Sequence, residues 1–279
     1  MTSDDEKHGA DDRGPALPPA FDLRGSVAVV TGAGSPSGIG YAAARLLGRC
    51  GAAVVVSATS ARIHERAAEL ASEGIEAVGV VADLTDPDRA AAVVAAAVER
   101  FGRLDILVNN AGMVTVGDGD YLEGDLSATD PARWQASLER NLTTAYLMTR
   151  AALPHLRESG RGRVVNVSSV TGAVMAMRSD VAYAAAKAGM VGLTRAVAVD
   201  EARHGITCNA VAPGWIATGS QTESEVREGA VSPPGRSGTA EEVASAIVWL
   251  ASPGAAYVNG QVIAVDGGNS VAEERALPR

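Results

Sequence analysis

The sequence predicts an α/β fold in which one doubly wound parallel sheet of about seven strands carries helices on both faces. Short apolar segments without the alternation of a half-exposed strand recur along the chain, a pattern typical of strands buried on both faces. Segments suited to helices separate these strands, as in a parallel sheet with crossover helices. Hydrophobic residues make up 47% of the chain and aromatic residues only 4%, so the core is expected to consist of Ala, Val, Leu and Ile.

The predicted elements follow one another in a regular order. Strands are expected over residues 27–30, 53–56, 77–81, 104–108, 164–167, 207–211 and 261–265. Helices are expected over residues 41–49, 61–72, 87–101, 131–158 and 240–250, with a further long helix that opens near Ser179. Asp86 is in position to cap the helix over 87–101, and Ser179 or Asp180 to cap the helix that follows them. We expect right-handed crossovers and no internal domain boundary.

The composition of the chain and of its two ends indicates which partners and which cell compartment to expect. Residues 1–20 are rich in Asp, Gly and Pro and are expected to form a flexible tail, residues 21–270 one domain, and residues 271–279 a C-terminal tail. A net charge of −9 argues against nucleic acid or an anionic membrane surface as a partner. No apolar run reaches the ~18 residues of a membrane span, and the N-terminus lacks a signal-peptide core. We therefore expect a cytoplasmic protein.

The cysteines and histidines indicate neither a disulfide nor a metal site. Cys50 and Cys208 are expected to be small buried residues with reduced thiols. The four histidines lack the spacing of metal ligands, so no catalytic metal is predicted.

A glycine-rich segment connects the first strand to the first helix. It runs from Thr31 to Gly40 and includes Gly32, Gly34 and Gly38. A strand, a glycine-rich turn and a helix together place backbone N–H groups and a helix N-terminus against a diphosphate. The alternative is an ordinary tight turn, which glycine also serves.

Tyr183 and Lys187 are four residues apart on the long alanine-rich helix, so both side chains leave the same face. A phenol in water has a pKa of about 10, and a neighbouring ammonium is expected to lower that pKa. The strand over 164–167 ends in two hydroxyls, Ser168 and Ser169, one of which can bond the same substrate oxygen. This trio can pass a proton to or from a carbonyl oxygen. The alternative is a half-buried ring beside a solvated amine.

Other marked residues also follow strands: the glycine segment, Asp83, Asn109, Ser169 and the Pro213-Gly214 turn. Ligands of such sheets bind at the carboxyl ends of the strands, where the strand order reverses. The sequence therefore predicts one binding site at this edge of the sheet.

These residues resemble the short-chain dehydrogenase/reductase family in its single-domain form, from Leu23 to Gly268. The matching segments are Thr31-Gly32, Gly38-Ile39-Gly40, Asp83, Asn109-Asn110-Ala111-Gly112, Asn141, Ser169, Tyr183 with Lys187, Pro213-Gly214, Thr218 and Val265-Asp266-Gly267-Gly268. The resemblance implies a Rossmann-type fold, with residues 21–270 as a dinucleotide-binding catalytic domain. It also implies a nicotinamide-dependent oxidoreductase, most similar to 3-ketoacyl-acyl-carrier-protein-reductase-like members.

The resemblance further implies the catalytic roles. Tyr183 would exchange the proton with the carbonyl oxygen, and Lys187 would lower the phenol pKa and hold the nicotinamide ribose. Ser169 would orient and polarise the carbonyl, and Asn141 would hold a proton-relaying water. Because an asparagine inside a helix is unfavourable, we also expect a break in the helix at Asn141. For Ser168 we expect an ordinary bond to the backbone.

Cofactor-binding residues are expected along the same edge. The set is Gly32, Ser35, Ser37, Gly38, Ile39, Thr59, Ser60, Arg62, Asp83, Leu84, Asn110, Ala111, Gly112, Tyr183, Lys187, Pro213, Gly214, Ile216 and Thr218. The resemblance implies that Asp83 contacts the adenine and that Asn109 and Gly112 line the adenosine. It implies that Ile216 and Thr218 contact the nicotinamide carboxamide.

Two segments depart from the family pattern. Five residues, 33–37, separate Gly32 from Gly38 where the family has three, so Ser35 or Ser37 would meet the phosphate differently. Residues 117–125 form an additional acidic, glycine-rich stretch. That stretch is expected to be a solvated loop, and the alternative is a flap over the substrate mouth.

The residues at the end of the second strand indicate whether NAD(H) or NADP(H) is preferred. No carboxylate stands there to bind a ribose 2′-hydroxyl and repel a 2′-phosphate. Thr59 and Ser60, with Arg62 a turn further on, can accept a phosphate. NADP(H) is therefore the preferred cofactor, NAD(H) remains possible, and Arg62 as a solvated helix residue is the alternative.

The substrate is the least determined feature. Residues 219–234, where the family forms a lid, are short and polar, while Trp215, Met175 and Met177 can supply an apolar wall or simply core packing. A ketone or 3-ketoacyl thioester is the first choice. The alternatives are an NAD-linked alcohol or sugar dehydrogenase and a non-catalytic cofactor-sensing protein. The family commonly forms tetramers, so a homotetramer or homodimer is expected.

Overall fold

A computed structural model describes residues 17–112 and 124–273. Nine strands lie in these residues: β1 Val27–Val30, β2 Ala53–Ala58, β3 Ala77–Val81, β4 Ile106–Asn109, β5 Arg163–Val167, β6 Thr207–Pro213, β7 Ile216–Ala217, β8 Gly238–Thr239 and β9 Val262–Val265. Seven of them form one parallel sheet in the order β3-β2-β1-β4-β5-β6-β9, and β7 pairs only with β8. The strand order reverses between β1 and β4, where such sheets bind ligands. The predicted doubly wound parallel sheet is confirmed.

The helices cover both faces of this sheet. They are α1 Ile39–Arg49, α2 Arg62–Ser72, α3 Pro87–Phe101, α4 Pro131–Leu138, α5 Thr144–Ser159, α6 Val170–Ala173, α7 Val181–Glu201, α8 Glu223–Ala230 and α9 Ala240–Ala251. Asp86 caps α3 as predicted, since its side chain accepts hydrogen bonds from the backbone N–H groups of Asp88 and Arg89. None of the helices in the described ranges combines the length and apolarity that a bilayer crossing needs.

Two apolar layers hold the helices to the sheet. One layer packs Ala28 and Val30 of β1 against α1 and α9. The other packs Val27 and Val29 of the same strand against α3 and α5. Because adjacent residues of a strand point to opposite faces, a strand covered on both faces needs apolar residues at every position. This is the pattern from which β1 was predicted. Cys50 and Cys208 are free and buried, as expected.

The helix predicted over 131–158 is broken, as the asparagine at 141 indicated. A single π-helical turn, Glu139–Thr143, separates α4 from α5. Asn141 is fully buried in this turn, and its amide donates to the carbonyl of Ser137 at 3.1 Å. A widened turn frees backbone groups and re-aims one side chain, which is why such turns cluster at functional sites.

Three local predictions differ from the structure. Ser179 does not cap α7 but has a positive φ of 59°, and Asp180 takes the N-cap position without a side-chain cap bond. No helix is predicted in residues 219–234, yet α8 forms there and begins at a capping box of Thr222 and Glu225. Residues 19–21, placed at the edge of the flexible tail, form a short 3-10 helix that packs against residues 253–255. Residues 1–16, most of the 117–125 stretch and 274–279 lie outside the described residues.

Candidate active site at the carboxyl edge of the sheet

The end of β1 is fixed to the end of β4 by hydrogen bonds around Thr31. The Thr31 hydroxyl accepts from the backbone N–H groups of Asn110 at 3.0 Å and Ala111 at 2.9 Å. The Asn110 side-chain amide in turn donates to the carbonyls of Thr31 at 2.9 Å and Gly32 at 3.1 Å. Asn110 and Ala111 therefore hold the glycine segment in place next to the reversal point of the sheet.

The glycines of this segment make room for close backbone approach. Gly32 has a φ of 68°, and a Cβ there would lie 2.8 Å from the Ala111 Cα. A Cβ on Gly40 would lie 2.5 Å from the Asn110 amide nitrogen and 2.7 Å from the Gly32 carbonyl oxygen. Helix α1 begins at Ile39, directly after Gly38, without a side-chain cap. Its first N–H groups thus stay available to an anion, as a diphosphate site requires.

Asn141 and Lys187 meet at Gly112. A Cβ on Gly112 would lie 2.8 Å from the Asn141 Oδ1 and 3.3 Å from the Lys187 Nζ. The π-helical turn, the helix α7 and the end of β4 therefore converge on one point. Lys187 is 3% exposed, and its ammonium donates to the carbonyl of Val167 at 2.9 Å.

Tyr183 lies one helical turn from Lys187, whose Nζ is 5.5 Å from the centre of the phenol ring. The Ser169 hydroxyl lies close enough to the Tyr183 phenol to lower its pKa. Ser169 is held at the start of α6, where its Oγ also accepts from the Thr171 backbone N–H at 3.1 Å. The predicted trio is therefore gathered within one site.

Ser168 has the ordinary role expected of it. Its hydroxyl donates to the carbonyl of Lys187 at 3.0 Å and so ties the end of β5 to the middle of α7.

The acid–base properties of the site correct one prediction. Burial raises the pKa of Tyr183 to about 12, the Ser169 hydroxyl lowers it, and the charges of Asp180 and Glu225 raise it. The pKa is therefore raised and not lowered as expected, because burial disfavours the phenolate more than the Ser169 hydroxyl favours it. Burial also lowers the pKa of Lys187 to about 8. Both groups are thus shifted toward their neutral forms.

The Asn109 side chain does not face the site, so only its backbone is left to line an adenosine there. It is 2% exposed, and its amide donates to Thr149 at 2.9 Å and to Asn166 at 2.8 Å. Successive residues of a strand point to opposite faces, so Asn110, not Asn109, reaches the glycine segment. Leu84 likewise packs its side chain into the core, so only its backbone is near the edge.

The remaining predicted residues line the same edge. Asp83 is exposed, and its carboxylate accepts from the Thr85 backbone N–H at 3.0 Å and the Thr85 hydroxyl at 2.8 Å; these bonds lower the pKa of Asp83. The Arg62 Nε donates to the Ser60 hydroxyl at 3.3 Å, with Thr59 exposed beside them.

The turn after β6 completes the edge. Pro213 is paired with Val265 in the sheet, and the Gly214 N–H donates to the Val265 carbonyl at 3.0 Å. Ile216 starts β7, and the Thr218 hydroxyl lies 3.1 Å from that of Ser220.

Sequence reasoning missed two residues near the site. Glu225 raises the phenol pKa, yet the sequence signals it only as half of a capping box. Gly219 contacts the glycine segment, and no sequence pattern marks it, because the contact joins distant parts of the chain.

Comparisons with known proteins agree with this geometry. A family model described as Enoyl-(Acyl carrier protein) reductase matches residues 32–270. The chain is 44% identical over 246 residues to cis-4-hydroxycyclohexanecarboxylate dehydrogenase from Sinomonas cyclohexanicum, covering 87% of this chain and 95% of the relative. It is 39% identical over 254 residues to a 3-oxoacyl-acyl-carrier-protein reductase from Vibrio cholerae, covering 89% and 98%.

Solved structures of dehydrogenases also match this fold over most of the chain. A protein from Beutenbergia cavernae, described as an NAD(P)-dependent gluconate 5-dehydrogenase with bound NADP, superposes with a TM-score of 0.82 at 38% identity. The match covers 91% of this chain and 100% of that one. A gluconate dehydrogenase structure from Agrobacterium tumefaciens matches with a TM-score of 0.82 at 32% identity, covering 91% and 99%.

Proposed function

Because the chain belongs to the short-chain dehydrogenase/reductase family and is an NAD(P)-dependent oxidoreductase, we propose that it reduces the carbonyl of a ketone or 3-ketoacyl substrate with NADP(H). Tyr183 is the proposed proton donor. The observation that carries the proposal is the convergence of Tyr183, Ser169, Lys187 and Asn141 on one point beside the glycine segment.

The residues at the edge of the sheet fit a dinucleotide. Gly32 and Gly40 allow the close packing that holds the glycine segment against Asn110 and Ala111, and the N-terminus of α1 can hold a diphosphate. Lys187 is in position to donate to ribose hydroxyls, with its ammonium held by the Val167 carbonyl. When bound, the nicotinamide supplies the hydride for reduction or accepts it in oxidation.

Four side chains have separate roles in the proposed proton transfer. Ser169 orients the substrate carbonyl through its hydroxyl, and the Tyr183 Oη gives a proton to the carbonyl oxygen during reduction or takes one during oxidation. With a pKa of about 12 the phenol is protonated at neutral pH, which suits a proton donor. Asn141 and Lys187 would hold the water through which the phenol regains its proton.

The proposed preference for NADP(H) rests on the end of β2. Arg62 and Ser60 are joined by a hydrogen bond, and Arg62 and Thr59 are exposed. A guanidinium beside two hydroxyls suits a 2′-phosphate. The NADP-bound relative from Beutenbergia cavernae is consistent with this preference.

An alcohol or sugar dehydrogenase acting in the oxidative direction is a second candidate. It is favoured by the similarity to proteins described as a hydroxycyclohexanecarboxylate dehydrogenase and as gluconate dehydrogenases. The same four side chains serve either direction, since proton transfer to and from the carbonyl oxygen follows one path.

We also propose a homotetramer or homodimer in the cytoplasm. Tyr146 on α5 and Val199 on α7 are 47% and 79% exposed, so these helices offer apolar surface to a second copy. Two free, buried cysteines suit a reducing compartment. Light scattering coupled to size-exclusion chromatography would show the number of subunits.

The test is a substrate panel read by dinucleotide absorbance. Purified protein is assayed with NADPH and NADH against ketones and 3-ketoacyl thioesters, and with NADP⁺ and NAD⁺ against hydroxy acids and polyols. We expect turnover of a carbonyl substrate that is faster with NADPH than with NADH. Turnover only of alcohols with NAD⁺ would favour the second candidate, and dinucleotide binding without any turnover would favour a sensing protein.

A further inference from the structure

Two tight turns from distant parts of the chain meet beside the N-terminus of α1. The first turn spans residues 35–38 and is closed by the Gly38 N–H donating to the Ser35 carbonyl at 3.1 Å. The second spans residues 218–221 and is closed by the Gln221 N–H donating to the Thr218 carbonyl at 3.0 Å. Pro36 occupies the second position of the first turn, which proline favours because its φ is already set.

The turns touch through two serines and one glycine. A Cβ on Gly219 would lie 2.9 Å from the Ser37 Oγ and 3.6 Å from the Ser35 Oγ. The Gly219 Cα therefore faces both hydroxyls with no room for a side chain while Ser37 keeps its position. The five-residue spacing between Gly32 and Gly38 provides the turn that carries these serines.

Each turn is held by its own part of the fold. The first is held by the Ala33 N–H, which donates to the Ser57 carbonyl of β2 at 2.9 Å, and by α1, which starts directly after Gly38. The second is held by the Gln221 amide, which donates to the Ser237 hydroxyl at 2.8 Å, and by the capping box of α8. The contact thus joins two anchored turns.

We propose that Ser35, Ser37 and Gly219 form a clasp that closes over the bound dinucleotide, so that the turns must separate before the cofactor leaves. This inference rests on the proposed function, which puts the diphosphate at the N-terminus of α1 and the nicotinamide carboxamide at Thr218. Gly219 follows Thr218 directly, so a dinucleotide bound in this way touches both turns. Gly219 is a positioning residue: its missing side chain lets the clasp close.

The role of Gly219 lies in this contact and not in its own backbone. It is not among the glycines with positive φ, so an alanine can adopt its conformation. Relief of the contact is also possible from the other side, because the nearest atom belongs to the Ser37 side chain. Shortening Ser37 to alanine should therefore make room for a methyl group at position 219.

The test measures cofactor release without any substrate. Stopped-flow fluorescence gives the dissociation rate of NADPH from wild type, Gly219→Ala, Ser37→Ala and the double variant. We expect Gly219→Ala to release NADPH about tenfold faster, equivalent to about 1.4 kcal/mol. The double variant should release it about as slowly as Ser37→Ala, with the two dissociation rates within about twofold, which is under 0.5 kcal/mol.

A matched control separates the contact from glycine replacement in general. Gly192 lies in α7, and a Cβ there would have no atom within 4 Å apart from the neighbouring backbone of its own helix, so Gly192→Ala should leave the NADPH dissociation rate unchanged. Thermal unfolding of all variants, without cofactor, should stay at the wild-type temperature.

Two results would contradict the clasp without affecting the proposed function. One is an NADPH dissociation rate of Gly219→Ala equal to that of wild type. The other is a double variant that releases NADPH as fast as Gly219→Ala. A wild-type protein that binds no dinucleotide would overturn the proposed function as well.

Discussion

Both edges of the sheet bury ionisable groups, but the surrounding residues shift the pKa values of these groups in opposite directions with respect to the charged form. At the amino edge, Asp105 is 2% exposed and accepts hydrogen bonds from the Val27 N–H at 2.9 Å, Arg103 at 2.6 Å and Ser159 at 2.6 Å. Although burial by itself raises the pKa of Asp105, these hydrogen bonds bring it below its ordinary value. The carboxylate is stabilised in its charged form.

At the carboxyl edge, burial shifts the pKa values of the buried groups toward their neutral forms. Burial lowers the pKa of Lys187 to about 8 and raises that of Tyr183 to about 12. A buried group whose protein neighbours do not stabilise its charge can respond to a ligand that does, whereas a fully paired carboxylate cannot. Asp105 thus stabilises the amino edge, while the shifted groups at the carboxyl edge are consistent with the proposed proton transfer there.

The largest expected effect is on turnover. Tyr183→Phe removes the proposed proton donor, so hydride transfer should slow by about 10²–10⁴-fold, while the free energy of unfolding stays within about 1 kcal/mol. Single-turnover kinetics with saturating NADPH and chemical denaturation measure the two quantities. Tyr257→Phe, at a fully exposed tyrosine, is the matched control and should change neither. Rates within tenfold of wild type for Tyr183→Phe would contradict the assignment.

The second prediction concerns the amino edge. Asp105→Ala removes the carboxylate that holds Arg103, Arg161 and the start of β1. Because the buried Val27 N–H then loses its acceptor, we expect a loss of about 1–3 kcal/mol in unfolding free energy. At low temperature the folded protein should keep its kcat/KM. Asp22→Ala, at an exposed pair with Arg24, serves as the control and should change little. If Asp105→Ala lost activity while its unfolding free energy stayed at the wild-type value, the contrast between the two edges would be wrong.

The third prediction is a pH dependence. Lys187 has a folded-state pKa of about 8, below its unfolded value of 10.5, so the unfolded chain binds more protons above pH 8. The free energy of unfolding should therefore gain on the order of 2 kcal/mol from this group between pH 8 and 10. Chemical denaturation without cofactor gives the change in unfolding free energy over this pH range for wild type and for Lys187→Met. The contribution of Lys187 is the difference between the two changes. Equal pH profiles for the two proteins would contradict it.

The smallest expected effect is on cofactor choice. Arg62→Gln should raise the KM for NADPH about tenfold and leave that for NADH unchanged, because only the 2′-phosphate would pair with the guanidinium. Arg203→Gln, near the amino edge, is the control. If wild type shows equal or lower KM values for NADH than for NADPH, the proposed preference is wrong.

The sheet and its helices were predictable because each strand needs apolar residues on both faces. The sequence also predicted the break at Asn141, since asparagine inside a helix is unfavourable unless a tertiary role requires it. These are local rules, and they hold wherever the chain is regular.

Properties that depend on the assembled neighbourhood were not predictable. The pKa of Tyr183 rises because many distant residues bury the phenol, a cost that the Tyr183–Lys187 spacing does not contain. The direction of the Asn109 side chain follows from the strand's exact pleat, and the contact of Gly219 with Ser37 joins distant turns.

The phenol pKa with and without oxidised dinucleotide tests the central claim most directly. It is obtained from the ultraviolet difference between wild type and Tyr183→Phe across an alkaline titration. We expect titration near pH 12 in the free protein and well below that with NADP⁺ bound, because a cationic nicotinamide beside the site favours the phenolate. A phenol that still titrates near pH 12 with NADP⁺ bound would show that Tyr183 does not face the reacting end of the cofactor.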